Sequence, residues 1–155
     1  MKISTISYCL KENEILLGMK KRGFGAGKWN GFGGKVKESE KIKSAAAREM
    51  FEESGLQVKE TALYQVGIIQ FYFESEPIFE SHVFLVKEWD GEPKETEEMR
   101  PQWHPLDRLP FDEMWAADYR WIPLVLSGKK IEGRIDFNSD GSLVKDFSWK
   151  EAEFD

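Results

Sequence analysis

Residues 22 to 36, "RGFGAGKWNGFGGKV", carry six glycines and run straight into the strongest helix signal in the chain. That junction constrains the fold more than any other stretch. Glycines at such density allow positive φ and let backbone approach a ligand closely. The helix is expected over about Ser39–Ser54, with Ser39 as N-cap, an Ala45–Ala47 run inside and Gly55 as the stop.

The flanking segments read as strands. "ISTISYCL" and "EILLGMKK" form two around a turn at Lys11–Asn13. "LYQVGIIQFYF" and "SHVFLVKEW" are β-rich, with "ESEPIFE" as the turn between them. "DGEPKETEEMRPQ" reads as a polar loop and "WHPLDRLP" as a short strand and turn. A second helix falls within "ADYRWIPLVLSGKK", where Pro123 disturbs the early turns, and a hairpin is expected around Asn138–Gly141. Strands before, between and after two helices predict an α/β fold with helices on a mixed sheet. At 155 residues, one domain over 1–155 is expected.

The helix ends in "REMFEESG", which gathers Glu49, Glu52 and Glu53 at i, i+3 and i+4. On that spacing the three carboxylates share a face beside small Ala45 and Ala46, while Ala47, Met50 and Phe51 pack on a sheet. Acids in a last helical turn oppose the macrodipole. Hard oxygen ligands gathered this way suit Mg²⁺, with Mn²⁺ as a substitute, when substrate phosphates complete the shell. Spacing alone leaves a solvated acidic face open as the other reading.

The net charge of −6 argues against a nucleic acid polymer as partner, but not against a single nucleotide. Six Trp and eleven Phe exceed what a core of this size needs and suit a pocket for a flat ligand. The lone Cys9 points to a reducing, cytoplasmic setting, and no apolar run approaches membrane-spanning length. His82 and His104 lie in strands without ligand spacing and read as structural.

"GKVKESEKIKSAAAREMFEESGL", residues 34 to 56, meets every position of the Nudix box through Gly34, Glu40, Arg48, Glu49, Met50, Glu52, Glu53, Gly55 and Leu56. "LLGMKKRGFGAGKWNGFGGKV", "HVF", "DEMRP" and "MWAADYRWIPLVL" extend the likeness over nearly the whole chain. The chain resembles the animal-type oxidised purine nucleoside triphosphatases, MutT homologues within the Nudix family. The resemblance implies an α/β/α Nudix sandwich with a mixed central sheet. It also implies Mg²⁺-dependent hydrolysis of 8-oxo-guanine type, and also O6-alkylated, purine nucleoside triphosphates to monophosphate and pyrophosphate by a monomer. Two other readings stay open: a Nudix hydrolase of dinucleotide polyphosphates or nucleotide sugars, and a catalytically silent nucleotide sensor.

Carried over residue by residue, the resemblance makes Glu49, Glu52 and Glu53 metal ligands, with the Gly33 carbonyl and Glu98 beside them. Glu53 also orients or deprotonates the attacking water, and Arg48 holds the glutamates. Trp115 and Phe71 flank the base, Phe24 and Phe79 form other walls, and Asn30 and Asp118 read its edge. Thr5 and Lys20 lie nearby, and Phe32, Gly33, Gly34 and Lys35 approach the phosphates. In "MWAAD", Ala116 and Ala117 depart from the animal pattern, which has two adjacent aspartates where this chain has Ala117 and Asp118. Weaker activity on 2-hydroxy-adenine nucleotides is the expected consequence. As a reading from residue type alone, Asp118 is also a candidate N-cap for the second helix.

Overall fold

The computed structural model describes residues 1–154. Five strands form a mixed sheet in the order β1-β5-β4-β7-β8: β1 Lys2–Cys9, β4 Leu63–Phe73, β5 Glu76–Val86, β7 Ile131–Phe137 and β8 Val144–Glu151. The β1–β5 and β4–β7 pairs are parallel, and β4–β5 and β7–β8 are antiparallel. A smaller antiparallel sheet sets β2 Glu14–Lys20 between β3 Trp29–Asn30 and β6 Met99–Pro105. The turn at Lys11–Asn13 therefore passes the chain from one sheet to the other instead of closing a hairpin. An isolated Leu10–Ile15 bridge spans it, with the Lys11 N–H bonded to the Glu14 carbonyl at 2.9 Å.

Two helices cover opposite faces of the larger sheet, and strand alternation decides which residues each one meets. Helix α1, Ile42–Ser54, packs Ala46 and Met50 on Cys9, Phe84 and Val86. Helix α2, Asp118–Leu126, packs Trp121, Ile122 and Val125 with Tyr8, Ile69, Val83 and Ile135. Neighbours such as Tyr8 and Cys9, or Val83 and Phe84, thus enter different cores. Met50 is fully buried, and its truncation to Ala is worth about 2–5 kcal/mol. No helix among the described residues is long and apolar enough to cross a membrane.

Several local expectations change. Helix α1 starts at Ile42 with Lys41 as N-cap, because the chain turns at Ser39 (φ 66°) while Glu40 accepts the Lys37 N–H at 3.0 Å. Its C-terminus is as expected, since Gly55 adopts φ 77° and donates to the Phe51 carbonyl at 2.9 Å. The "ESEPIFE" segment is mostly strand, the turn being confined to Glu74–Ser75. "MRPQ" is likewise strand, in β6. Asp118 is not the cap of α2; Ala117 holds that position and Asp118 opens the helix. Pro123 is accommodated inside α2, whose last carbonyls accept from Ser127 and Gly128 at 3.0 and 3.2 Å. The hairpin around Asn138–Gly141 joins β7 to β8.

The segment from Phe32 to Val36 lies along the outer edge of β1. Phe32 and Ser7 exchange backbone hydrogen bonds of 2.7 and 2.9 Å, Thr5 N–H reaches Gly34 O at 2.9 Å, and Val36 N–H reaches Ile3 O at 2.9 Å. Gly33 has to be glycine here, since a Cβ would stand 1.7 Å from the Thr5 carbonyl oxygen. This clamp fixes the glycine loop beside the end of α1.

Candidate active site

A cavity of about 310 Å³ opens between the glycine loop, the larger sheet and the start of α2. Thr5, Lys20, Phe24, Asn30, Gly33, Gly34, Lys35, Glu53, Phe71, Phe79, Trp115 and Asp118 all line it. Phe32 does not: it is fully buried in the core under α1, and its backbone is committed to Ser7. Ala117 is fully buried in the other core, with half-buried Ala116 packed against it. The sequence reading overlooked Ser4, Tyr8, Ser81, Phe73 and Phe137, which also face the cavity. Period-two alternation in "STISY" was the available signal for Ser4 and Tyr8.

At one end the walls are aromatic. Trp115 stacks on the exposed Phe24 at 5.1 Å and 29°, while Phe71 stacks on Phe137 at 6.3 Å and 6°. Phe79 meets Phe24 at 5.6 Å. Trp115 Nε1–H donates to Asn30 Oδ1 at 3.2 Å, and Asn30 Nδ2–H donates to Lys28 O at 2.7 Å, which fixes the amide orientation. Asp118 is buried and accepts from Trp121 Nε1–H at 3.2 Å. Burial pushes its carboxyl up to about 7, against the lowering effect of that hydrogen bond.

At the other end Glu53 lines the cavity, whereas Glu40, Glu49, Glu52 and Glu98 lie outside its lining, and their surroundings differ. The Arg48 guanidinium grips Glu40 through two bonds of 2.8 and 2.9 Å, reaches Glu49 at 2.9 Å and touches Glu52 at 3.3 Å. Arg48 hydrogen bonding holds Glu40 down to about 2. Glu98 is paired with Arg22 at 2.7 Å and stands 3.8 Å from Lys20. Lys21 bridges to Glu95, so much of the basic "KKR" patch is already engaged with the acidic 95–98 stretch.

Glu53 forms no ion pair among the described residues, and the charge of Lys20 only partly offsets its burial. Glu53 is only 4% exposed and accepts the Gly33 N–H at 2.9 Å. Burial, with the charges of Glu49 and Glu98, pushes its carboxyl up to about 8 despite the Gly33 bond. The three glutamates do not share one open face: Glu53 turns inward with Ala45, Ala46 and Met50, whereas Glu52 is half exposed. Phe51, expected on the sheet, is exposed.

A divalent cation fits this donor set, because positive charge would offset the cost of ionising Glu53 among its acidic neighbours. Among the described residues no three acidic, His or Cys groups already converge as a ligand set. Glu49 and Glu52 point to Arg48 instead, so a cation would have to draw them across. A Cβ at Gly34 would lie 2.7 Å from the Glu49 carboxylate, which keeps backbone and acid in close contact.

A family profile described as NUDIX domain matches residues 2–125. The chain belongs to the Nudix family. An oxidized purine nucleoside triphosphate hydrolase of Danio rerio is 47% identical to this Nudix chain over 145 residues, covering 93% of the chain and 92% of the relative. Its Mus musculus counterpart is 46% identical over 153 residues, covering 98% and 96%. A MutT protein from Bacillus halodurans superposes with a TM-score of 0.81 at 23% identity, covering 96% of this chain and 97% of that one. That likeness establishes the Nudix fold, a mixed sheet with a helix on each face. The Nudix box, residues 34 to 56, takes in the whole of α1 and the latter part of the clamped loop before it.

Proposed function

We propose that this Nudix hydrolase cleaves oxidised purine nucleoside triphosphates of the 8-oxo-guanine type, and O6-alkylated ones, to monophosphate and pyrophosphate. One observation carries the reading: a single cavity has an aromatic end with Asn30 and Asp118, and an acidic end with Glu53 beside Gly33 and Gly34. A planar base and its phosphates need those two ends in that order. The relatives' names and nearly full coverage support the same substrate class.

In this reading Trp115, Phe24, Phe71 and Phe79 enclose the base. On an 8-oxo-guanine edge Asp118 accepts from N1–H and the 2-amino group; an O6-alkylated base has no N1–H, and there the neutral Asp118 carboxyl, with its pKa pushed up to about 7, would donate to N1. Asn30 uses its remaining donor and acceptor on the rest of the edge. Lys20 and Lys35 stand on the phosphate side. Glu49, Glu52 and Glu53, with the Gly33 carbonyl and Glu98, would hold Mg²⁺ or Mn²⁺. The cation would supply phosphate charge neutralisation and activation of water for in-line displacement. Glu53 Oε1 is fixed by the Gly33 N–H, which leaves Oε2 to take a proton from water attacking the β-phosphorus. Arg48 acts at one remove, by positioning Glu49 through Nη1.

Residues 1–155 act as one Nudix domain in this proposal, since β7 and β8, beyond the matched segment, complete the sheet that carries the cavity. Action as a monomer in the reducing cytoplasm, away from nucleic acid polymers, accords with the buried free Cys9 and the charge of −6.

The test is kcat/KM for 8-oxo-dGTP, O6-methyl-dGTP and dGTP with Mg²⁺. Preference for 8-oxo-dGTP over dGTP is expected. Equal values for those two would replace pool sanitation with general nucleotide hydrolysis.

A further inference from the structure

Beyond the segment that the Nudix profile matches, the turn between β7 and β8 reaches back onto the aromatic end of the cavity. Asp140 and Ser142 are exposed, but Gly141 between them is buried. A Cβ there would stand 2.6 Å from Trp115 Cζ3, 3.4 Å from its Cε3 and 3.2 Å from Phe73 Cε2. Gly141 also has φ 76°, so the turn needs glycine for its backbone and again for this contact. The glycine loop meets the same indole elsewhere. A Cβ at Gly25 would stand 3.3 Å from Trp115 Nε1 and 3.4 Å from its Cζ2. Cζ2 and Cε3 are para to each other on the six-membered ring. Two backbone segments, far apart in sequence, therefore confine the indole from opposite sides.

The turn is braced within itself. Asn138 Oδ1 accepts from the Leu143 N–H at 3.1 Å, and its backbone carbonyl accepts from the Gly141 N–H at 3.2 Å. Asn138 Nδ2 donates to Ser142 Oγ at 3.1 Å, and the Ser142 N–H donates to Asp140 Oδ1 at 2.9 Å. A methyl added at 141 would therefore press on the ring more than on the turn. The ring has less to resist with. Trp115 is half-buried, the Phe24 stacked on it is exposed, and its Nε1–H bond goes to Asn30 Oδ1 at 3.2 Å. A shift of the indole is thus passed to the Asn30 amide, and the stacking surface and the edge-reading group move together.

We infer that Gly141 is a positioning residue for base binding: it seats the β7–β8 turn against Trp115 and, through Trp115, sets Asn30. This rests on the purine nucleotide reading above for the roles of those two side chains. A larger residue in the turn costs affinity for the base and leaves the chemistry at Glu53 alone.

Gly141→Ala tests this beside Gly128→Ala, which carries a similar backbone penalty at φ 99° but meets nothing within 4 Å. Gly141→Ala should raise both the KM for 8-oxo-dGTP and the Kd of 8-oxo-dGMP, by calorimetry in metal-free buffer, at least about fivefold, the lower range for losing one base–aromatic stack. Its kcat should stay within about twofold, because uniform binding is what is lost. In the free protein the Trp115 indole N–H resonance, identified as the one missing from Trp115→Phe, should move. Gly128→Ala should show none of these changes. An unmoved indole resonance, or equal effects of the two alanines on Kd, would overturn the role of Gly141 and leave the substrate class standing. If Gly141→Ala does not fold, adding Trp115→Phe should restore folding, since a phenyl ring lacks Cζ3, and failure to restore it would also overturn the role. A wild-type protein that neither hydrolyses 8-oxo-dGTP nor binds 8-oxo-dGMP would overturn both, whatever the indole resonance shows.

Discussion

Glu53→Gln offers a direct measure of how the acidic end is built. The carboxyl of Glu53 is raised from an ordinary 4.5 to about 8, first by burial and then by Glu49 and Glu98. In the unfolded chain it ionises near pH 4.5, but in the folded protein it keeps its proton to about pH 8. The folded state therefore binds the extra proton between those limits, and stability falls as pH rises through that window. The raised value corresponds to a ceiling of about 5 kcal/mol. Relaxation around the buried group and water in the cavity that it lines reduce that to about 2–4 kcal/mol in practice. The Gln side chain keeps an oxygen for the Gly33 N–H at 2.9 Å and has nothing to ionise. With EDTA present, wild type and variant should unfold at similar temperatures near pH 5. By pH 9 the variant should be the more stable, by roughly 5–15 °C at about 2–4 °C per kcal/mol for a chain of this size. Millimolar Mg²⁺ at pH 8 should raise the wild-type midpoint and leave the variant nearly unmoved, and the variant should lose turnover while still binding nucleotide. Parallel pH profiles for the two proteins in EDTA would refute the claim that burial among like charges governs this carboxyl.

Two further perturbations follow from the same loop and pocket. Gly33→Ala places a methyl 1.7 Å from the Thr5 carbonyl and should cost more than about 3 kcal/mol in urea unfolding, whereas Gly34→Ala presses only on the movable Glu49 carboxylate, 2.7 Å away. The second variant should keep most of its stability and show at least tenfold weaker Mg²⁺ dependence of kcat/KM; equal destabilisation by both would contradict the difference in their contacts. Because Asp118 has no neighbouring carboxylate with which to share a proton, kcat/KM for 2-hydroxy-dATP should lie well below that for 8-oxo-dGTP, and comparable values would remove Ala117 from the explanation.

Much of the architecture was readable because it repeats a local rule. The Gly55 stop, the alternating strands and the turn before β8 each depend on a few neighbouring residues. The start of α1 was not, because Glu40 is pulled by Arg48, eight residues away, and the chain bends at Ser39 to allow it. Sheet assignment also escaped a linear reading: nothing in "CLKENEI" says that β1 will pair with β5 while β2 joins β6. Spacing brought Glu49, Glu52 and Glu53 together in sequence but could not show that, of the three, only Glu53 turns into the cavity, without an ion pair among the described residues. Phe32 was misplaced for a related reason. A residue inside a glycine loop looks available, whereas its strand-like pairing with Ser7 drives the ring into the core.

The pairing of Phe32–Val36 along β1 has a consequence beyond positioning phosphate. β1 is the last strand on that side of the five-stranded sheet, and an uncovered outer strand is a template on which another chain can add itself. The glycine loop covers that strand with four backbone hydrogen bonds of 2.7 to 2.9 Å. The segment that shapes the site is thus also the guard against edge-to-edge association. Changes that loosen the loop threaten solubility and turnover together.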